Sequence, residues 1–342
     1  MDVRLSAEQQ TLRDSAAHAV SRLGPQAVGQ LDDPERRARL EAVVVESGWR
    51  ELRMAADDDG TPLASGVEAA IVAEELGRGL ADAAYLGPVM AADLRRLSGA
   101  PYAEAMETVV LGPGLASVAR VSVGSVPSGS IAVDADGSPT ALVLDTDGRV
   151  GTVALDGLAP RTDLTRPTAT PTASAAVLEG ARPIGDEELA RWNALALALT
   201  CADLVGVMRG AIDLAVEYAN GRQQFGTSIG SFQAIQHLLA EAYSQMEGSR
   251  SAALHAAWAV DALPADDALA AAALAKAYCA RSARTTCETV IQVHGGIGHT
   301  WECMAHVFLR RALVSSDLFG GVGPSLERVL AHNGIGGSDG LR

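Results

Sequence analysis

RQQFGTSIGSFQAIQHLLAE, residues 222–241, joins two helical runs through a junction equipped to hold an anion. Arg222 and Phe225 close the first run, Gly226 breaks it, and Phe232, Gln233 and Gln236 open the second. A planar guanidinium grips a diphosphate through two parallel hydrogen bonds, and a phenyl ring can stack on a nucleotide base. Farther on, Gln292-Val293-His294-Gly295-Gly296-Ile297-Gly298 ends another helix on bare backbone. Glycines there supply positive φ and let a ligand approach main-chain atoms closely. Taken singly, each has a plain alternative: an arginine favoured by the helix dipole near a C-terminus, and an ordinary helix stop.

Working outward, helical character covers 187–222, 231–261, 266–294, 302–317 and 323–332, and the break at Pro264 and the alanine-rich faces fit a bundle. Between Thr108 and Glu179 the chain changes to short β-branched runs such as ALVLDTDGRV and GTVALDG, punctuated by Asp-Gly and Gly-Ser. That is the pattern of hairpins in a small antiparallel β unit, with the Thr/Pro/Ala stretch 161–175 reading as a surface loop. Upstream, residues 4–22 (Ser6 as N-cap), 35–48 and 66–80 are amphipathic or strongly helical, and the character continues over 82–108. The expected organisation is an N-terminal all-α domain (1–108), a small β domain (109–182), a C-terminal helical bundle (183–335) and a short tail (336–342).

At 342 residues and 48% hydrophobic the chain can bury a large core. Its net charge of −15 argues against nucleic acid or an anionic membrane surface as partner. Lys276 is the only lysine, so a charged ligand must be met by arginines. Cys201, Cys279, Cys287 and Cys303 form no CxxC pair and read as buried reduced thiols of a cytoplasmic protein. His299, His306 and His332 have no partner spacing for a metal site. The polar N-terminus is no signal peptide, and no uninterrupted apolar run approaches the roughly 20 residues of a membrane span.

The combination R-x-x-F-G…F-Q-x-x-Q…Q-V-H-G-G-I-G resembles the C-terminal domain of the acyl-CoA dehydrogenase family, and the order of helical, β and helical domains extends the resemblance over nearly the whole chain. The resemblance implies FAD as cofactor, α,β-dehydrogenation of an acyl thioester on CoA or a carrier protein, and an electron-transfer flavoprotein as acceptor. It also implies that Arg222 contacts the FAD pyrophosphate, Phe225 packs on the cofactor and Gln233 bonds near the phosphates or ribityl chain. Gln292, Val293, His294, Gly295 and Gly296 would line its adenine end, often in a neighbouring subunit's site.

Departures matter as much. The loop that carries the family's catalytic glutamate reads Leu318-Phe319-Gly320-Gly321 here, with Gly320 in the glutamate's place. The segments that seat the flavin ring are absent from the β region, which has no tryptophan. Other branches of the family put the base on the helix ending at Arg222, where this chain offers Asp213 and Glu217. The catalytic residue is therefore unassigned. The expectation is a subunit of a hetero-oligomer, lending cofactor-binding residues to a site completed by a homologous subunit. The alternatives are a catalytically inactive scaffold and a homo-oligomeric flavoenzyme using Glu217 or Asp213.

Overall fold

The computed structural model describes residues 4–57 and 59–335; the tail expected at 336–342 lies outside them. Helix α1 (Ala7–Leu23) begins on a capping box in which Ser6 Oγ accepts the Gln9 N–H and the Gln9 side chain returns a bond to the Ser6 N–H. Helices α2 (Pro34–Glu46) and α3 (Gly66–Arg78) follow, α3 on a second capping box of Ser65 and Glu68. Residues 82–108 are less helical than expected. Helix α4 covers only Leu86–Ser98 and stops at Gly99, whose φ of +68° suits a residue without a Cβ.

The β unit comprises β1 (Glu107–Leu111), β2 (Arg120–Val121), β3 (Ile131–Ala132), β4 (Thr140–Asp145), β5 (Val150–Leu158) and β6 (Ala169–Val177). Two expectations are corrected here. The sheet is mixed rather than wholly antiparallel, because β1 and β2 both run parallel to β4. Pairing of β1 with both β3 and β4 closes the order β1-β3-β6-β5-β4 into a small barrel, with β2 beside β4. Hairpin turns specify local antiparallel pairs, whereas these parallel pairs join segments with no shared turn. The stretch read as a loop at 161–175 in fact runs into β6, whose alanines and threonines pair through backbone and leave side chains outward. Valines and alanines such as Val110, Val143, Val153 and Ala141 fill the barrel interior.

Helix α5 (Asp186–Gly221) is the centre of the molecule, and every residue from Ala194 to Met208 is buried. An 18-residue window of it has mean hydropathy 1.7, apolar enough for a membrane span, yet 94% of that window is covered by the rest of the fold. An all-round apolar helix is what such a central position requires. It crosses α3 with backbones touching: a Cβ on Gly206 would stand 1.9 Å from the Glu74 carbonyl oxygen. After α5 come a hairpin, β7 (Gln223–Gln224) with β8 (Thr227–Ser228), then α6 (Gln233–Ala262), α7 (Ala265–His294), α8 (Ala305–Asp317) and α9 (Val322–His332). The first buried residue of α6 is Ala242, so its opening turns stand clear of the core.

Candidate functional site

Arg222 is the C-cap of α5; its N–H bonds the Tyr218 carbonyl and its own carbonyl accepts the Ile229 N–H, which fixes the base of the β7–β8 hairpin. Register Gln224↔Thr227 leaves Phe225 and Gly226 as a two-residue loop, both at positive φ (+52° and +81°). Loops of that class favour Asn or Gly at the first position. A phenylalanine held there with 94% of its surface exposed is a strained residue with an unspent apolar face. Phe232 meets it edge-on at 6.2 Å. The guanidinium of Arg222 is exposed and forms no ion pair among the described residues. Gln233 opens α6, whose N-cap Phe232 offers no side-chain acceptor; the Ile235 N–H is taken by the Phe232 carbonyl at 3.0 Å, which leaves the Gln233 and Ala234 N–H groups for an anion.

The glycine turn lies against the same end of α5. The His294 ring stacks on Tyr218, one turn before Arg222, with centroids 4.4 Å apart. Gln292, Gly295 and Gly296 are exposed, while Val293 and His294 are buried. Gly295 has φ +63°, and nothing lies within 4 Å of a Cβ placed on it or on Gly296. The imidazole, expected to pack on an adenine, is turned inward: Nδ1 donates to the Val290 carbonyl at 2.8 Å and the ring lies against Tyr218. Burial lowers the His294 pKa, but Cys303 and the Val290 carbonyl outweigh it, and the net shift is upward.

The loop Leu318–Gly321 is sealed. Phe319 is 1% exposed and meets Trp192 edge-to-face at 5.9 Å, and Trp192 donates to the Met90 carbonyl. Gly320 has φ +103°, a conformation that a side-chain-bearing residue adopts only with strain. Lys276 holds the loop from beneath, donating to Thr200 Oγ1 at 3.1 Å and to the Ser315 and Leu318 carbonyls at 2.5 and 2.8 Å. Beside it Asp203 accepts from Arg311 at 2.6 Å and from Ser315 Oγ at 2.6 Å, and Arg166 bridges Asp203 and Asp163. Burial raises the Asp203 pKa, but Arg166 and Arg311 more than offset it and hold the carboxyl below its ordinary range. This network joins the β unit, α5 and α8 where the three meet.

Residues 194–325 match the family description "Acyl-CoA dehydrogenase, C-terminal domain". Acyl-CoA dehydrogenase IpdE2 of Mycobacterium tuberculosis is 31% identical over 329 residues, covering 91% of this chain and 92% of that protein. The chain belongs to the acyl-CoA dehydrogenase family. FadE34 of the same organism is 37% identical over 215 residues, 63% of this chain; the match spans 29% of that longer protein. In fold, the ChsE4–ChsE5 complex from Mycobacterium tuberculosis superposes with TM-score 0.74 over 98% of this chain and 99% of that one, at 24% identity.

Against the acyl-CoA dehydrogenase pattern the chain divides in two. An unpaired arginine, an uncapped helix N-terminus and two open glycines fit the diphosphate-bearing half of FAD. The ring-binding half does not fit: its segments are missing, and Phe319, Trp192 and the Asp203 network fill the junction of loop, β unit and α5. The candidate bases Asp213 and Glu217 line an open cleft of about 250 Å³ with Arg78, Glu75 and Phe308. Asp213 is bound by Arg78 at 3.0 Å. Sequence reasoning missed the Asp203–Arg166–Arg311 network and the His294–Cys303–Tyr218 cluster.

Proposed function

We propose that this acyl-CoA dehydrogenase family member is the cofactor-lending subunit of a hetero-oligomeric, FAD-dependent acyl-CoA dehydrogenase. A homologous partner carries the catalytic glutamate, and the complex desaturates an acyl thioester on CoA or a carrier protein. Bound FAD supplies the hydride acceptor of that reaction. In this reading Arg222 and the first turn of α6 hold the diphosphate, Phe225 covers the cofactor, and Gln292, Gly295 and Gly296 offer backbone to its adenosine end. The carrying observation is the direction in which the residues face. The diphosphate set lies on an outward, uncovered segment, while the chain's own loop is sealed around Phe319 and Gly320. The neighbouring fold of the ChsE4–ChsE5 complex supports a paired assembly.

The test is the visible spectrum of the purified protein. The chain alone is expected to be colourless, and its complex with a homologous subunit yellow. Arg222→Ala should weaken FAD binding by the complex roughly 10- to 100-fold, the loss of a charge-assisted contact of about 1.5–3 kcal/mol. A complex that stays colourless sinks the proposal in favour of a scaffold. A yellow chain alone, bleached by an acyl-CoA and dependent on Glu217, sinks it in favour of the homo-oligomeric enzyme.

A further inference from the structure

A cavity of about 240 Å³ lies between α1, α3, α5 and α6 and includes no residue of the β7–β8 hairpin or of the glycine turn. Glu75 is the one lining residue it shares with the cleft of Asp213 and Glu217. Its deep wall is made by Ala70, Ile71, Ala202 and Ala253, each at most 6% exposed. Three alanines where three helices face one another leave a hollow that longer side chains would fill. Arg13 of α1 and Arg250 of α6 also line it, with side chains 31% and 36% exposed, so both guanidiniums stand at its mouth. Arg250 Nε is 3.6 Å from Glu74 Oε1, its Nη1 is 3.9 Å from Glu247 Oε1, and Arg13 Nε is 3.7 Å from Asp14 Oδ1. All three separations lie beyond hydrogen-bond reach, and neither arginine donates a hydrogen bond among the described residues. The inner carboxylates are already engaged, because Arg209 donates to Glu74 Oε1 and, at 2.9 Å, to Glu75 Oε1. Glu247 is 42% exposed and solvated.

We propose that this cavity binds a small carboxylic acid with an aliphatic body, the carboxylate taken by Arg13 and Arg250 and the chain laid against the alanine wall. A guanidinium is a planar fork of N–H donors, and a carboxylate meets that fork with two oxygens. The wall disfavours an ion that is polar all round, such as inorganic phosphate, since burying apolar surface gains nothing from it. A cationic ligand would meet two like charges at the mouth, with Glu74 and Glu75 committed to Arg209. A neutral chain would fill the hollow and leave both guanidiniums without an acceptor. A ligand with one anionic end and one apolar end uses both features. Binding here involves no flavin and none of the residues assigned to the diphosphate, so it stands apart from the heteromer reading.

The experiment is isothermal titration calorimetry of the flavin-free, full-length chain at pH 7 with hexanoate, acetate and 1-hexanol as probes. Hexanoate is expected to bind saturably, one per chain. Acetate should bind about tenfold more weakly or worse, since each buried CH2 is worth roughly a factor of four in affinity. 1-Hexanol, which has the chain without the charge, should also lose about tenfold, and Arg250→Met should cost hexanoate a similar factor. Ala253→Leu fills the hollow and should abolish hexanoate binding while both arginines remain; thermal unfolding checks that each variant is folded. No saturable hexanoate binding, equal binding of 1-hexanol, equal binding of acetate (an adventitious anion only) or an unchanged Arg250→Met would overturn the assignment. Should Ala253→Leu fail to fold, the three probes and Arg250→Met decide alone.

Discussion

Lys276 is buried in α7 with three oxygen acceptors and no carboxylate among its hydrogen-bond partners. Burial pulls its pKa down from 10.5 to about 8, against smaller opposing effects of Cys201, Cys279 and Asp203. Below pH 8 the ammonium is charged in both folded and unfolded chains. Between about 8 and 10.5 the folded chain has released a proton that the unfolded chain keeps, so this group's contribution to stability rises with pH. In urea unfolding, the stability of the wild type relative to Lys276→Met should increase from pH 8 to 10; a constant difference would contradict the assignment. Asp203 has the same sense in a more acidic window. Its depressed pKa contributes stability above the ordinary carboxylate range and loses it in acid. Asp203→Asn should cost about 3–5 kcal/mol at pH 7, because Arg311 and Arg166 are left buried with too little counter-charge, and the variant's acid limb should flatten. Neither role was legible beforehand. Asp203 sits in the apolar run TCADLVGV, and its partners are remote in sequence.

At the level of elements, the helices were legible because periodicity, the Ser6 cap and glycine stops all agree with the fold. The barrel was not, since β2 and β3 have two residues each and β6 is alanine and threonine around Pro171. Pairings of that kind are decided by backbone and closure, which leave little trace in side-chain pattern. The α3–α5 crossing gives a sharp check. Gly206→Val would drive its Cβ into the Glu74 carbonyl and should lower stability by at least 1–3 kcal/mol in thermal unfolding. Gly221→Ala at the end of the same helix meets nothing within 4 Å and should be neutral or slightly stabilising.

For the molecule as a whole, the motifs led to the expectation of half a cofactor site, and the missing glutamate to the expectation of a partner subunit. What the motifs could not announce was the sealing of the interior, because Phe319, Trp192 and Arg166 meet only in three dimensions. The exposed start of α6 carries Leu238 and Tyr243, 36% and 54% exposed, and follows the exposed Phe225 and Phe232 in sequence. Leu238→Asp with Tyr243→Asp should leave the circular dichroism and thermal midpoint of the chain alone nearly unchanged while abolishing co-elution with a homologous subunit. Undiminished co-elution would place the contact elsewhere.

The same central rod that organises the finished protein sets a problem for the ribosome. Residues 194–208 leave the exit tunnel as a stretch with the hydropathy of a bilayer anchor, and part of their wrapping, α7, is completed only at His294. At roughly 5–20 residues per second that gap lasts roughly 4 to 17 seconds. For that interval part of this apolar surface has yet to meet the helix that covers it.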